Sequence, residues 1–142
     1  MASIHSYLNF NGNCEEAFLF YQSVFGGEFA YLGRFKDMPS EQPIPDKMKE
    51  KIMHVSLPIS KETTLMGSDV VEGMGPKFEM GNNFSLSLNT GSEEEAQRLF
   101  NALSTGGIVT MPLQKTFWGA LFGMLVDKFG INWMVNYDYE QK

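Results

Sequence analysis

The chain has 142 residues, 43% of them hydrophobic and 13% aromatic, enough to bury a core without staples and too apolar for wholesale disorder. A formal net charge of −6 opposes association with phosphate backbones and anionic lipid, so neither nucleic acid nor a membrane is expected as partner. Cys14 is the single cysteine, which excludes an intrachain disulfide and a thiolate metal cluster and fits a reducing, cytoplasmic setting. With no apolar run of about 18 residues and no signal-like start, one compact soluble domain is expected.

Ile4, Leu8 and Phe10 alternate with His5, Tyr7 and Asn9, which predicts a half-buried first strand. A turn at Asn11-Gly12 follows. Asn13 and Glu16 have the spacing of a capping box, and Ala17, Phe20, Tyr21 and Val24 form an apolar helical stripe that Gly26-Gly27 ends. Residues 28–35 read as the second strand. Residues 36–51 carry Pro39, Pro43 and Pro45 and read as a loop, with a helical turn possible at 46–50. Strands at 52–59 and 63–70 meet in a turn around Ser60-Lys61-Glu62. Gly73, Gly75, Pro76 and Gly81 then mark residues 72–81 as a linker.

The order restarts beyond it. Phe84, Leu86 and Leu88 alternate with Ser85, Ser87 and Asn89; Ser92 and Glu95 repeat the capping box; and Ala96, Leu99, Phe100 and Leu103 repeat the stripe before Gly106-Gly107. The two helices stand at a constant offset of 79 residues. Strands are predicted at 108–113, 120–126 and 132–139, the last two joined by the turn Asp127-Lys128-Phe129-Gly130. The chain is therefore read as one domain, 1–142, containing two tandem β-α-β-β-β modules, 1–71 and 82–142.

Each helix must cover one face of its sheet, because its apolar stripe otherwise lacks a partner. The opposite faces would carry His5, Tyr7 and Asn9; His54 and Ser56; Ser85 and Ser87; and Asn132, Met134 and Asn136. If the sheets curve toward each other, these residues line a shared cup.

Several motifs resemble the PhnB-like branch of the vicinal-oxygen-chelate (glyoxalase/bleomycin-resistance/dihydroxybiphenyl-dioxygenase) superfamily. They are Tyr7-Leu8-Asn9-Phe10, Gly12-Asn13-Cys14, Glu16-Ala17 with Phe20-Tyr21, Phe25-Gly26-Gly27, Met66-Gly67-Ser68-Asp69, Met111-Pro112, Thr116-Phe117-Trp118-Gly119, and the block from Asp127 to Asn136. The resemblance implies an α+β fold of paired modules in a curved, cup-shaped mixed sheet with helices outside, a homodimer, and in many relatives a divalent metal in the cup. The matching ligand positions here are Tyr7, Ser85 and Met134, poor ligands for the usual imidazole and carboxylate sets. Neither a metal nor another cofactor is therefore expected. Some relatives of this branch carry a ubiquinone-pathway methyltransferase label, for which the chain offers no glycine-rich nucleotide-binding turn.

His54 is the candidate catalytic group, as general base or hydrogen-bond anchor; the alternative is a histidine satisfied by a serine or backbone carbonyl. Trp118 lies in a predicted loop, where an aromatic forms a pocket wall or a dimer contact, whereas Trp133 falls in phase with Ile131 and Val135 as core. Asp69 could offer its carboxylate to a substrate with Gly67 permitting close approach, or could stabilise its own turn. Cys14 could be activated by the helix dipole or serve as filler. The leading expectation is a protein that binds a small organic molecule through Tyr7, Asn9, His54, Ser56, Ser85, Ser87, Trp118 and Met134. The alternatives are a metal-dependent glyoxalase- or dioxygenase-type enzyme using His54 aided by His5 and Asp69, and an inactive dimeric scaffold.

Overall fold

The computed structural model describes residues 2–39 and 43–139. They form two compact units, Met1–Glu79 and Met80–Lys142. The first unit runs β1 (Ser6–Phe10), α1 (Cys14–Phe25), β2 (Tyr31–Arg34), β3 (Ile52–Pro58) and β4 (Thr64–Asp69), with short 3-10 turns at Phe35–Asp37 and Asp46–Met48. Its sheet has the order β1-β4-β3-β2, with β1 parallel to β4 and the other pairs antiparallel. The second unit repeats this plan: β5 (Leu86–Asn89), α2 (Glu93–Ser104), β6 (Ile108–Lys115), β7 (Ala120–Val126) and β8 (Asn132–Asp138). Its order is β5-β8-β7-β6, with β5 parallel to β8. Both β-α-β-β-β modules are thus present, each a mixed four-stranded sheet with its helix against one face.

α1 buries Cys14, Ala17, Phe18, Tyr21 and Val24, positions that fall on one side of a 3.6-residue helix. Phe18 replaces the expected Phe20 as the buried aromatic, with no exposed surface, while Phe20 is half-buried. Phe18 can sink because Gly67 on β4 leaves the space: a Cβ there would lie 2.7 Å from Phe18 Cε1. The close approach that Gly67 permits is therefore made by a side chain of the helix. α2 buries Ala96, Leu99, Phe100 and Leu103 as expected. Gly26, in positive φ just past α1, lets the chain turn and donate its N–H to the Gln22 carbonyl.

The helix N-termini differ. Ser92 Oγ accepts the Glu95 N–H, and Glu95 Oε1 accepts the Gly91 N–H, so the second box forms locally, reaching one residue further back than the usual motif. The Asn13 side chain caps nothing. Asp69 caps instead from the end of β4: Oδ1 accepts the N–H groups of Gly12 and Cys14, and Oδ2 accepts that of Ile52. The carboxylate is buried. Its bonds go to distant backbone rather than to its own turn, and they fasten the β1–α1 turn, α1 and β3 together.

Strand ends shift by one to three residues from expectation, most at β2, where residues 28–30 stay outside the ladder and Phe35 enters a 3-10 turn. Phe35, Met48 and Val71 form a small core under the proline-bearing loop, with Met38, Ile44 and Met53 against it. β6 runs to Lys115, two residues beyond its predicted end, interrupted by two register shifts. At Asp127-Lys128-Phe129-Gly130, Gly130 takes positive φ and donates to the Asp127 carbonyl, as expected of the turn. Asp127 does more than turn the chain, accepting the N–H groups of Phe129 and Ile131 and the indole N–H of buried Trp133.

Candidate functional site

The sheet register decides which side chains share a face. Tyr7 pairs with Met66, Met66 with Ser56, and Ser56 with Tyr31, one row across β1, β4, β3 and β2. Asn9 pairs with Ser68, and His54 with Gly33, in the next row. Directly paired residues point to the same side of a sheet, so these groups face away from α1. Leu8, Gly67 and Val55 make the intervening row beneath the helix. A bulge helps sort them: Gly33 pairs with His54 but Arg34 pairs with Ile52, which leaves Met53 extra. Ile52 thereby turns inward with Val55 and Leu57, all fully buried, while His54 and Ser56 keep the other face.

His54 is the centre of this face. Its Nδ1 lies 3.1 Å from Tyr7 Oη in a hydrogen bond, and the two rings are offset and nearly parallel, at 5.6 Å between centroids and 26°. Tyr31 flanks the imidazole from the other side at 5.7 Å and 41°. Tyr7 and Tyr31 are 44% and 49% exposed, so their ring faces are reachable from solvent. Among the expected residues, Asn9 is exposed on the same face, and Ser56, 9% exposed, contributes little reachable surface. His5 precedes β1 and is exposed; Asp69 points to the helix side, so it does not assist His54. The partner that satisfies Nδ1 is an exposed tyrosine, not the serine or backbone carbonyl that the satisfied-histidine reading expected.

Tyr31 and Gly33 were missed by the sequence reading. The signal was available: a tyrosine two residues before a glycine within a strand places a ring and a gap on one face.

In the second unit Ser87 pairs with Met134, Met134 with Met124, and Met124 with Met111, so Ser87 and Met134 share the face away from α2. Ser85 precedes β5. Trp118 is 59% exposed in the turn between β6 and β7, edge-on to Phe117 at 5.0 Å and to Phe122 at 6.2 Å. The eight expected ligand contacts therefore divide evenly: Tyr7, Asn9, His54 and Ser56 in the first unit, Ser85, Ser87, Trp118 and Met134 in the second.

Other groups serve structure. Arg34 grips Glu15 through two hydrogen bonds of 3.0 and 2.6 Å, and these hold the Glu15 carboxyl below the usual range. The pair borders a concavity of about 550 Å³ beside the start of α1, lined also by Gly12, Lys51 and Asp69. Cys14 is fully buried, and desolvation, with the charges of Asp69 and Glu15, pushes its thiol far up. The filler reading holds and dipole activation does not. We expect Cys14 to stay unmodified by a chromogenic disulfide reagent in native protein and to react stoichiometrically in denaturant; rapid native labelling would contradict its burial.

Among the described residues no group of three or more His, Cys, Asp and Glu could hold a metal ion. The positions matching the superfamily's ligands offer a phenol, a hydroxyl and a thioether in Tyr7, Ser85 and Met134, and these do not fit an imidazole-and-carboxylate site. No helix among the described residues is long and apolar enough to cross a membrane.

Two β-α-β-β-β units, each a four-stranded mixed sheet backed by one helix, define the glyoxalase/bleomycin-resistance class of α+β proteins. The profile of the family described as 3-demethylubiquinone-9 3-methyltransferase matches residues 2–136, and the chain belongs to that family, in its PhnB-like branch. It is 45% identical to protein PA1353 from Pseudomonas aeruginosa, whose crystal structure superposes with a TM-score of 0.85 over 97% of this chain and 98% of that one. Protein YjdN of Escherichia coli K12 is 33% identical over 138 residues, 92% of this chain and 91% of YjdN. A Bacillus cereus protein described as a putative 3-demethylubiquinone-9 3-methyltransferase, PhnB protein, is 26% identical with a TM-score of 0.75, covering 96% and 99% of the two chains. At the level of fold alone, a glyoxylase/bleomycin-resistance/dioxygenase domain from Frankia sp. EAN1pec superposes with a TM-score of 0.69 at 13% identity, covering 100% and 96%.

Proposed function

We propose that the protein binds a small organic molecule on the open face of its first sheet, over Tyr7, His54 and Tyr31, without a metal of the superfamily type. The observation that carries this reading is the imidazole held between two exposed tyrosine rings, one of which also hydrogen-bonds it. With the Tyr7 hydroxyl donating to Nδ1, the neutral imidazole carries its proton on Nε2. His54 then offers a donor to a ligand's carbonyl or phenolic oxygen, and the tyrosine faces offer stacking. That arrangement favours an anchor over a general base, which would need an imidazole nitrogen with a free lone pair.

The family's description speaks of methyl transfer. One feature leads us to propose binding instead: the β1–α1 connection is Asn11-Gly12-Asn13 rather than a glycine-rich nucleotide-binding turn. The same reading takes the protein as a cytoplasmic homodimer, in keeping with the family resemblance and the buried free thiol of Cys14.

A thermal-shift screen of aromatic and metabolite compounds tests the proposal. We expect at least one compound to saturate the wild-type response, and His54→Ala to weaken it about tenfold through the lost hydrogen bond and ring contact. A wild-type protein that no compound saturates would sink the reading, and undiminished affinity in His54→Ala would remove that residue from the site.

A further inference from the structure

We propose that Gly33 determines which ligands this floor accepts: lacking a Cβ, it lets the Tyr31 ring come down over β2 beside His54, tilted 41° to the imidazole, and so selects planar conjugated ring systems over puckered ones. The inference rests on the binding reading above. A Cβ on Gly33 would stand 2.6 Å from Tyr31 Oη, 2.8 Å from Cε2 and 2.9 Å from Cζ. The far half of the tyrosine ring thus fills the space that any other side chain at position 33 would claim. Because Gly33 pairs with His54 across β2 and β3, a ring drawn down onto Gly33 is also drawn against the imidazole.

Tyr7 lies low from the opposite direction. It stands on β1 and its hydroxyl meets His54 on β3, with β4 between them in the sheet, so the two side chains together span two strand spacings of about 5 Å each along the sheet. Three rings from three strands therefore tile one surface. The rings are tilted to one another by 26° and 41°, so a planar ligand can lay its face against one ring and its edge against a neighbour, whereas a saturated ring of the same size meets them at a few atoms.

Alanine at position 33 separates this role from a structural one. The atoms in its way are the end of a flexible side chain that is 49% exposed, so Tyr31 swings away and the backbone stays. Within a strand, alanine is otherwise the better residue. The fold persists while the second wall of the floor leaves His54.

Two measurements test the proposal on the full chain. In ligand-free protein, the His54 ring-proton resonances should move in Gly33→Ala in the same direction as in Tyr31→Ala, as the ring current of Tyr31 is withdrawn; unchanged resonances would overturn the positioning role. By calorimetry or fluorescence, wild type should prefer 2-naphthol to decahydro-2-naphthol by about tenfold, and Gly33→Ala should cut that preference to about twofold. Equal preference in both proteins would overturn Gly33 as the determinant. Wild-type protein that binds neither probe would overturn planar ring systems as the ligand class, whereas the binding reading falls only if the compound screen finds nothing that saturates.

Discussion

Asp69→Ala is expected to destabilise the protein by about 3–5 kcal/mol, because three backbone donors lose their acceptor at once and a buried unpaired donor costs about 1–3 kcal/mol. The donors are the N–H groups of Gly12, Cys14 and Ile52, on the β1–α1 turn, the first turn of α1 and the start of β3. Entry of water into the vacated space keeps the total below the simple sum. Asp69→Asn should cost less, about 1.5–3 kcal/mol, since its one oxygen can serve the Gly12 and Cys14 pair while its amide faces the Ile52 donor. Urea denaturation measures both, with the slope unchanged if only stability has moved. An alanine variant within about 1 kcal/mol of wild type would contradict the fastening role.

Gly67→Ala is expected to cost about 2–3 kcal/mol by overpacking. The added methyl would lie 2.7 Å from Phe18 Cε1 and 2.8 Å from the Leu8 carbonyl oxygen. One belongs to a ring with no exposed surface, the other to the backbone of the paired strand, so neither has room to retreat. Gly33→Ala in the same sheet should change stability by less than about 0.5 kcal/mol, because its neighbour is a surface side chain that can move. Chemical denaturation of the two variants side by side checks the contrast. Equal costs would mean that the two faces of the first sheet do not differ as the register implies.

Much of this architecture was legible in the residues. The repeated cap, stripe and glycine pair announced two copies of one module, and both were found with the expected β-α-β-β-β order. Alternation placed Tyr7, Asn9 and His54 on the face away from the helix, where the register puts them. Trp133 was legible as core because it keeps phase with Val135, and both are buried. The Phe18 exchange for Phe20 was not, since a helix stripe about 100° wide leaves both at its border until the opposing surface is known. A glycine on β4 made that choice.

The site was only half legible for the same reason. His54 and Tyr7 stand 47 residues apart, and their hydrogen bond depends on which strand β1 joins. Tyr31 depends on the bulge at Met53, which sets the pairing of Gly33 with His54.

By itself, the sequence determined the elements, their duplication and the local cap formed by Ser92 and Glu95, because periodicity and capping act over a few covalently linked residues. Only the tertiary structure decided that Asp69 caps α1 across 55 residues, that Gly67 receives Phe18, and that Tyr7 and Tyr31 converge on His54. Those contacts arise from sheet order and register, which bring distant segments together by burying apolar rows on one face, and no local pattern encodes the meeting that results.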